Sequence, residues 1–498
     1  MDYLALLLTD AGVMILELVA ARLMSPYFGN SNFVWTAIIG IILLAGSLGN
    51  LLGGKIASSA KNARLSAGIL LLGAAIYIAL IPIIGVPVLE SIQDGNFGTQ
   101  FASVLGSIVL FLVPSTLLGI MSPILMKERI GSSKDKGKES GRITAVIAIG
   151  SLIGTFLGGF FLIPALGTQM IFVLVAVIIL VTTLCFRPLR GIEAKAQKSA
   201  MLTMIAITAA VIIYAFSVVC IDNNSSGEEK AISIDTEYGR IIIENGDYDG
   251  EEVRYYKQSG AYSSATYLDE NKKYDLVYAY LKKYDLMFDF GEINNVVMIG
   301  GAAYQYPKYY ISHFADKTMD VVEIDPESTR IAKEYFYLND LINDYNLEET
   351  NRLGLYNEDG RIFLDNTDKK YDAVLNDAFS GEVPVGTLAT VEAAQIIKNS
   401  MDNDGVYISN VMGAIEGDKG KFVRAEIKTL QKVFRHIYVV NARENVKDTA
   451  YSNRMVIATD NDDYKPDNTV NVKITDKDIV LTDDYCPIDS LISTNYHD

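Results

Sequence analysis

The chain has 498 residues and a formal net charge of −17, and hydrophobic residues make up 50% of it. These averages hide a division near Asp222: residues 1–222 hold 14 Lys and Arg against 10 Asp and Glu, and the remainder hold 29 against 50. So acidic a second half repels phosphate backbones, which excludes nucleic acid as an expected partner and favours cationic ones.

The first half contains seven apolar runs, each near the 20 residues needed to cross a bilayer. They lie at about 3–24, 33–54, 66–89, 101–126, 143–163, 169–186 and 200–221. This pattern predicts a multi-pass α-helical bundle over residues 1–222, embedded in the lipid bilayer of the cell membrane.

The loops of this half predict its orientation. Thirteen Lys and Arg follow the second, fourth and sixth runs, and the loops after the first, third and fifth runs contain none. The positive-inside rule then places the N terminus in the cytoplasm. Because the number of runs is odd, residues 223–498 are expected outside.

Some residues within the runs suggest packing or a polar site. The segments GSLGNLLGG (46–54) and GSLIGTFLGG (150–159) predict close helix contacts. Glu17 and Arg22 either form a polar site near the interface, or Glu17 pairs with another helix while Arg22 reaches out of the bilayer.

The second half changes from alternating polar and apolar residues to apolar strands separated by helical stretches. We expect a linker at 223–232, a small β-hairpin subdomain at 233–290, an α/β Rossmann-like domain at 291–460 and a tail at 461–498. The predicted parallel strands include VVMIGG (296–301), MDVVEID (319–325), YDAVLND (371–377) and GVYISNV (405–411).

Open α/β sheets bind ligands at the carboxyl ends of their strands, and polar or glycine residues collect there. Gly300 and Gly301 let the chain turn closely against a ligand. Glu323 and Asp325 follow the second strand, where they can accept hydrogen bonds from ribose hydroxyls. The alternative for Asp325 is a helix N-cap, because Pro326 follows it.

Two further aspartates lie at the predicted carboxyl edge of the sheet. Asp359, in the NEDG turn, either accepts a hydrogen bond from an adenine amine or serves only the turn. Asp377 ends an apolar strand and is the best candidate to contact a cationic amine or a reacting proton.

The ordered set VVMIGG, VVEID, NEDG and YDAVLNDAF resembles the spermidine synthase family of aminopropyltransferases over about 233–440. The resemblance implies a class I methyltransferase-type fold and a co-substrate that is decarboxylated S-adenosylmethionine or S-adenosylmethionine. It also implies that Glu323 holds ribose, that Asp359 and Gly360 flank adenine, and that Asp377 is catalytic. Soluble members form oligomers, so a homo-oligomer is possible here.

The whole chain resembles the membrane-fused branch of that family. The segments that carry this likeness are ARLMSPYFGNSNFVW (21–35), PSTLLGIMSP (114–123), SGRITAVIAIGSLIGTFLGGFFLIPALGT (140–168), DAFSGEVPVGTLAT (377–390) and LTDDYCPID (481–489).

Two departures concern the acceptor pocket. Soluble synthases read GGGDGG where this chain reads GGAAYQYP (300–307), so their acidic contact is missing. In place of their Tyr-His-Glu loop, the nearest segment offers Tyr262, Ser264 and Asp269. Tyr304 either lines an altered pocket or packs as an ordinary helix residue.

The three cysteines and three histidines show no metal-ligand spacing, so we expect no metal. The leading hypothesis is a membrane-bound transferase with a cationic or lipid-borne amine as acceptor. The alternatives are a polyamine- or nucleoside-binding sensor or transporter with a non-catalytic domain, and an S-adenosylmethionine-dependent methyltransferase.

Overall fold

The computed structural model describes residues 1–28, 31–95, 97–190, 192–224, 231–380, 383–463 and 465–492. The chain divides into two compact units, Met1–Arg240 and Ile241–Asp498. The predicted linker at 223–232 precedes this boundary, and its residues 225–230 lie outside the described residues.

Seven helices among the described residues of unit 1 are long and apolar enough to cross a membrane, by length and composition. They are α1 (Asp2–Phe28), α2 (Asn32–Ser59), α3 (Ala63–Asp94), α4 (Thr99–Ser132), α5 (Lys136–Leu162), α6 (Thr168–Phe186) and α7 (Lys195–Cys220). Helices α4 and α5 include π-helical stretches at Ile108–Leu112 and Gly158–Leu162. The number and order of the predicted runs agree with these helices.

The glycine-rich segments lie where helices touch through their backbones. A Cβ built on Gly150 of α5 would lie 2.5 Å from the carbonyl oxygen of Leu7 in α1. Gly154 meets the Ala11 carbonyl in the same way, and Gly49 and Gly53 of α2 meet carbonyls of α4. The close packing predicted for both segments is confirmed, because any larger residue would force these helices apart.

Within unit 1, residues 235–237, which follow α7, form hydrogen bonds with the helical bundle. Arg22 donates to the carbonyl oxygens of Thr236, at 2.6 Å, and Glu237. Asp235 accepts from the backbone N–H of Thr168 at 2.6 Å, at the start of α6. Arg22 therefore has polar partners near the end of α1, and both interpretations of Glu17 and Arg22 stay predictions.

Unit 2 is built on a seven-stranded mixed sheet. Its strands are β5 (Asn295–Ile299), β6 (Thr318–Val322), β7 (Leu353–Tyr356), β8 (Tyr371–Asn376), β11 (Met401–Gly413), β12 (His436–Asn441) and β13 (Ser452–Thr459). They lie in the order β12-β13-β11-β8-β5-β6-β7. Strands β5, β6, β7, β8 and β11 are parallel, and β13 runs antiparallel to β11 and β12. Every residue of β5 from Val296 onward is buried, as expected for a central strand covered on both faces.

Helices cover this sheet and lead the chain from one parallel strand to the next. They are α8 (Gln305–His313), α9 (Pro326–Tyr335), α10 (Leu338–Asp344), α11 (Leu347–Thr350), α12 (Gly360–Asn366), α13 (Val391–Asn399), α14 (Lys421–Leu430) and α15 (Ile488–Leu491). The strand order and the antiparallel strand near one edge give the Rossmann-like, methyltransferase-type fold that was predicted.

A small antiparallel meander precedes the main sheet. After β1 (Ile232–Asp235), it contains β2 (Arg240–Tyr248), β3 (Glu251–Gln258) and β4 (Ala261–Tyr267), and β3 pairs with both β2 and β4. The expected hairpin subdomain is therefore a meander rather than a single hairpin. A 3₁₀ segment at Ala279–Phe290 then leads into β5. Two short strands, β9 (Phe379–Ser380) and β10 (Val383–Pro384), follow β8.

Candidate functional site

The glycine turn after β5 lies directly against the end of β8. Gly300 has a φ of +89°, which only glycine adopts without strain. A Cβ built on it would lie 2.7 Å from the carbonyl oxygen of Asp377. The turn and the catalytic candidate are therefore neighbours at the carboxyl edge of the sheet, as predicted.

Glu323 fixes the shape of this turn from the end of β6. One carboxylate oxygen accepts from the backbone N–H groups of Gly301, at 2.8 Å, and Ala302, at 2.9 Å. The other accepts from Asp325 N–H at 3.0 Å. Burial raises the pKa of Glu323, and the three backbone bonds oppose that rise. The carboxylate retains lone pairs, so it can accept ribose hydroxyls while holding the turn.

Asp325 and Asp359 both cap helices. Asp325 accepts from the backbone N–H of Glu327 at 3.0 Å, and Asp359 accepts from Arg361 at 2.9 Å and Ile362 at 3.1 Å. The helix cap that the sequence left open for Asp325 is thus realised, whereas Asp359, whose alternative was a role in the turn, caps a helix. Nucleotide contacts by these two carboxylates stay predictions.

Close packing explains why position 360 is a glycine. A Cβ at this position would collide with the side chain of Ile299 at the end of β5. The absence of a side chain lets the start of α12 pack against the end of β5, next to the glycine turn.

Asp377 lies half-buried at the end of β8, and two side chains hold its carboxylate. One oxygen accepts from the Tyr280 hydroxyl at 3.0 Å, and the other accepts from the Asn410 amide at 2.8 Å. Asn410 in turn accepts from the Asn453 amide at 3.0 Å. Burial raises the pKa of Asp377, whereas the donated hydrogen bonds lower it. A carboxyl with a raised pKa, fixed in direction, suits a general base.

The part of the chain that carries this geometry also matches a known family. The model described as "Spermine/spermidine synthase domain" matches residues 280–462. Residues 280–462 are a spermine/spermidine synthase domain. The match contains β5 to β13, and with them the glycine turn, Glu323 and Asp377.

Two curated proteins show the same likeness. The chain is 27% identical over 146 residues to a polyamine aminopropyltransferase of Vibrio vulnificus (strain CMCP6), covering 29% of this chain and 44% of that protein. It is 27% identical over 154 residues to one of Alkaliphilus metalliredigens (strain QYMF), covering 30% and 51%. The chain spans about half the length of these relatives.

Among solved structures, a probable spermidine synthase from Corynebacterium glutamicum ATCC 13032 is similar, with a TM-score of 0.40 and 19% identity. That similarity covers 47% of this chain and 82% of that one.

The acceptor candidates from the meander are tied into the meander and its turn. Tyr262 is 54% exposed, and its hydroxyl donates to Glu244 at 3.3 Å. Ser264 is buried in β4 opposite Tyr256, and Asp269 accepts from the backbone and side-chain N–H groups of Asn271. These bonds account for Tyr262 and Asp269 without a ligand, and an acceptor role for all three stays a prediction.

Tyr304 lies beneath the glycine turn of the synthase domain. Its side chain is fully buried, and its hydroxyl shares a 2.8 Å hydrogen bond with Thr329 of α9. A Cβ built on Gly301 would lie 2.8 Å from the Tyr304 ring, so the ring packs against the turn. Of its two interpretations, the structure gives Tyr304 the packing role.

The synthase domain contains site residues that sequence reasoning missed. Tyr280 comes from the 3₁₀ segment, which no periodicity predicts, and it reaches Asp377 across a large sequence separation. Asn410 lies inside β11, directly after Ser409, which pairs with Asn376 of β8, so a rule that selects polar residues at strand ends does not select it. Within the described residues, no group of three His, Cys, Asp or Glu side chains is placed to hold a metal ion.

Proposed function

We propose that the chain is a membrane-bound transferase that moves an aminopropyl group from decarboxylated S-adenosylmethionine, or a related sulfonium donor, to an amine. The observation that carries the proposal is Asp377, held by Tyr280 and Asn410 against the glycine turn that Glu323 shapes. The names of the relatives support it, since both are polyamine aminopropyltransferases.

The reaction would be a direct displacement. The amine nitrogen attacks the propyl carbon bonded to the sulfonium sulfur, the N–C bond forms as the C–S bond breaks, and the electron pair stays on sulfur in the leaving methylthioadenosine. The nitrogen loses one proton, which Asp377 accepts and passes to solvent. Positioning the two substrates and removing this proton supply the catalysis.

The donor would lie along the carboxyl edge of β5, β6 and β7. Glu323 accepts the ribose hydroxyls, the turn at Gly300 and Gly301 approaches the sugar closely, and Gly360 leaves space beside the adenine. Asp325 and Asp359 remain candidates for the same ligand from their cap positions.

The acceptor would be a cation. Residues 223–498 hold 29 Lys and Arg against 50 Asp and Glu, so the field around the site attracts ammonium groups. Because the relatives' names describe polyamines and this chain adds a bundle, the acceptor is either a free amine or an amine carried by a lipid.

Product identity tests the proposal. The purified full chain in detergent micelles is mixed with decarboxylated S-adenosylmethionine or S-adenosylmethionine and a panel of amines. Methylthioadenosine formed together with an alkylated amine supports aminopropyl transfer. Formation of S-adenosylhomocysteine would instead show a methyltransferase. If neither product forms, a binding role remains for the domain.

We also propose that the seven helices span the cell membrane with the N terminus in the cytoplasm and unit 2 outside. The support is the placement of all 13 loop Lys and Arg after even-numbered runs. This orientation favours the second candidate function, a polyamine- or nucleoside-binding sensor or transporter, because sulfonium donors are made in the cytosol.

Single cysteines at Asp249 and Ser132 test this topology on intact cells, in a background without the three native cysteines. Both positions are exposed and belong to opposite predicted sides. An impermeant maleimide should label Asp249→Cys and spare Ser132→Cys. The reverse pattern places the domain in the cytosol and removes the argument for the sensor or transporter.

A further inference from the structure

The C-terminal segment 481–489 packs against residues 386–390, which lie in the segment that follows β8. The Cys486 thiol donates to the Gly386 carbonyl oxygen at 3.6 Å, and a Cβ built on Gly386 would lie 3.2 Å from the Ile488 side chain. These stretches belong to LTDDYCPID and DAFSGEVPVGTLAT, two of the segments that resemble the membrane-fused branch. The proposed reaction gives neither of the two contacting stretches a role.

Asp483 is the polar centre of this contact. Its two carboxylate oxygens accept from the Arg361 guanidinium at 2.7 and 2.6 Å, the paired geometry that makes arginine–carboxylate bonds strong and directional. One of these oxygens also accepts from the Thr390 hydroxyl at 2.8 Å. Arg361 donates in addition to the Thr387 carbonyl oxygen at 3.1 Å. Asp483 therefore joins the C-terminal segment to α12 and to residues 386–390.

Arg361 connects this contact to the edge of the sheet where the donor would lie. It is the second residue of α12, and its backbone N–H donates to the capping carboxylate of Asp359 at 2.9 Å. Gly360 lies between them and packs against the Ile299 side chain, directly before the glycine turn. A displacement of Arg361 therefore displaces the two residues that the family resemblance places beside adenine.

The helix α12 depends on side-chain contacts because it is short. It has seven residues, and an isolated helix of that length is not stable in water. Phe363 and Leu364 attach it to the apolar core further along the helix. The Arg361–Asp483 pair attaches its first turn from the surface side. A contact at the first turn and a contact with the core together fix the direction of the helix.

We propose that Asp483 is a positioning residue for the nucleoside part of the donor. From the C-terminal segment it holds Arg361, and through Arg361 it fixes Asp359 and Gly360 at the start of α12. This inference rests on the proposed function, since it requires a nucleoside donor at this edge. Loss of the pair should weaken donor binding and leave the chemical step unchanged.

The same C-terminal tail provides a matched control. Asp478 pairs with Arg424 of α14 at 2.8 Å, and these side chains are 7% and 15% exposed. In the Asp483–Arg361 pair the exposed fractions are larger, 46% and 21%. Asp478→Asn and Asp483→Asn each remove one arginine contact of the tail, but only the second contact leads to α12. If the tail contributes stability alone, Asp478→Asn should have at least as large an effect.

The test uses the purified full chain in detergent micelles, with methylthioadenosine as the nucleoside probe. Asp483→Asn should weaken binding of methylthioadenosine by roughly three- to tenfold, and raise KM for decarboxylated S-adenosylmethionine to a similar extent, because a charge-assisted pair is lost. The kcat and the KM for the amine should stay as in wild type, since Tyr280 and Asn410 still hold Asp377. Asp478→Asn should change neither binding nor KM, although it unfolds at an equal or lower temperature than Asp483→Asn.

A double-mutant cycle tests whether the effect passes through Arg361. Arg361→Gln should weaken binding of methylthioadenosine as much as Asp483→Asn does, and the double variant should bind no more weakly than either single variant. Additive losses would mean that the two side chains act separately, and they would overturn the inference.

Hydrogen exchange followed by mass spectrometry separates this inference from the proposed function, because it requires no ligand. Peptides that contain residues 357–366 should exchange faster in Asp483→Asn than in wild type or Asp478→Asn. Unchanged exchange in these peptides, wild-type nucleoside binding by Asp483→Asn, or equally weakened binding by Asp478→Asn would overturn the positioning role alone. If wild type binds methylthioadenosine and forms no product, while Asp483→Asn binds it more weakly, the transferase fails and the positioning role stands. A wild-type chain that binds no nucleoside overturns both.

Discussion

Replacing Gly300 with Ala tests whether the glycine turn and Asp377 form one rigid unit. At a φ of +89°, an L residue costs roughly 1–2 kcal/mol. The new Cβ would also lie 2.7 Å from the Asp377 carbonyl oxygen and 3.1 Å from the Ala378 Cα. Because both atoms are backbone, the strand end has to move, and overpacking of this kind costs about 1–3 kcal/mol. The expected total is about 2–5 kcal/mol.

Gly250→Ala is the matched control. Gly250 has a similar φ of +84°, and no heavy atom of the described chain lies within 4 Å of a Cβ built there. It should therefore show the conformational cost alone, about 1–2 kcal/mol. The difference between the two variants isolates the contact with Asp377.

Hydrogen exchange followed by mass spectrometry measures this effect where it occurs. Peptides that contain β5 and β8 should exchange faster in Gly300→Ala than in wild type. In Gly250→Ala their exchange rates should be unchanged. Gly300→Ala should also lose most of its turnover, and Gly250→Ala should keep it. Normal protection of β8 and normal turnover in Gly300→Ala would refute the idea that turn and aspartate are a single unit.

Three further changes have expected outcomes. Burial lowers the pKa of Lys308 from 10.5 to about 7, so the folded state is penalised by up to about 5 kcal/mol below pH 7, and the penalty fades as pH rises to 10.5. Lys308→Met should therefore flatten the rise of unfolding temperature between pH 7 and 10. Tyr280→Phe removes a donor to Asp377, so the pKa of Asp377 should rise further and the acid limb of the rate profile should move to higher pH. Gly154→Val should destabilise the bundle by about 2 kcal/mol, seen in the fluorescence of the single tryptophan, whereas Gly54→Val, with an open Cβ position, should not.

The sequence was most informative where one physical signal acts alone. Long apolar runs located the seven helices, because length and hydropathy suffice for that. Apolar strands followed by glycine or aspartate located the carboxyl edge and brought Gly300, Glu323 and Asp377 together correctly. Both signals are local, so a single sequence contains them in full.

The sequence was less informative where the signal is shared or non-local. Asp325 and Asp359 each lie between a strand and the helix that follows it. An aspartate at such a position can bind a ligand or cap the helix, and the sequence alone does not distinguish the two. Tyr280 lies in a 3₁₀ segment without a recognisable period and meets Asp377 only in the folded domain. Tyr262 and Asp269 lie near the position of a missing motif, which is a weak signal; the structure gives both residues contacts of their own, and their acceptor role stays a prediction.

The most direct test of the central claim compares wild type with Asp377→Asn. Titration with methylthioadenosine, the product of the proposed donor, reports the nucleoside site, and release of methylthioadenosine from decarboxylated S-adenosylmethionine and a diamine reports the reaction. Asp377→Asn should bind the nucleoside about as tightly as wild type and lose turnover by roughly a hundredfold or more, as expected for removal of a general base. Undiminished turnover in Asp377→Asn, or a wild-type chain that binds the nucleoside and releases no product with any amine, would contradict the account.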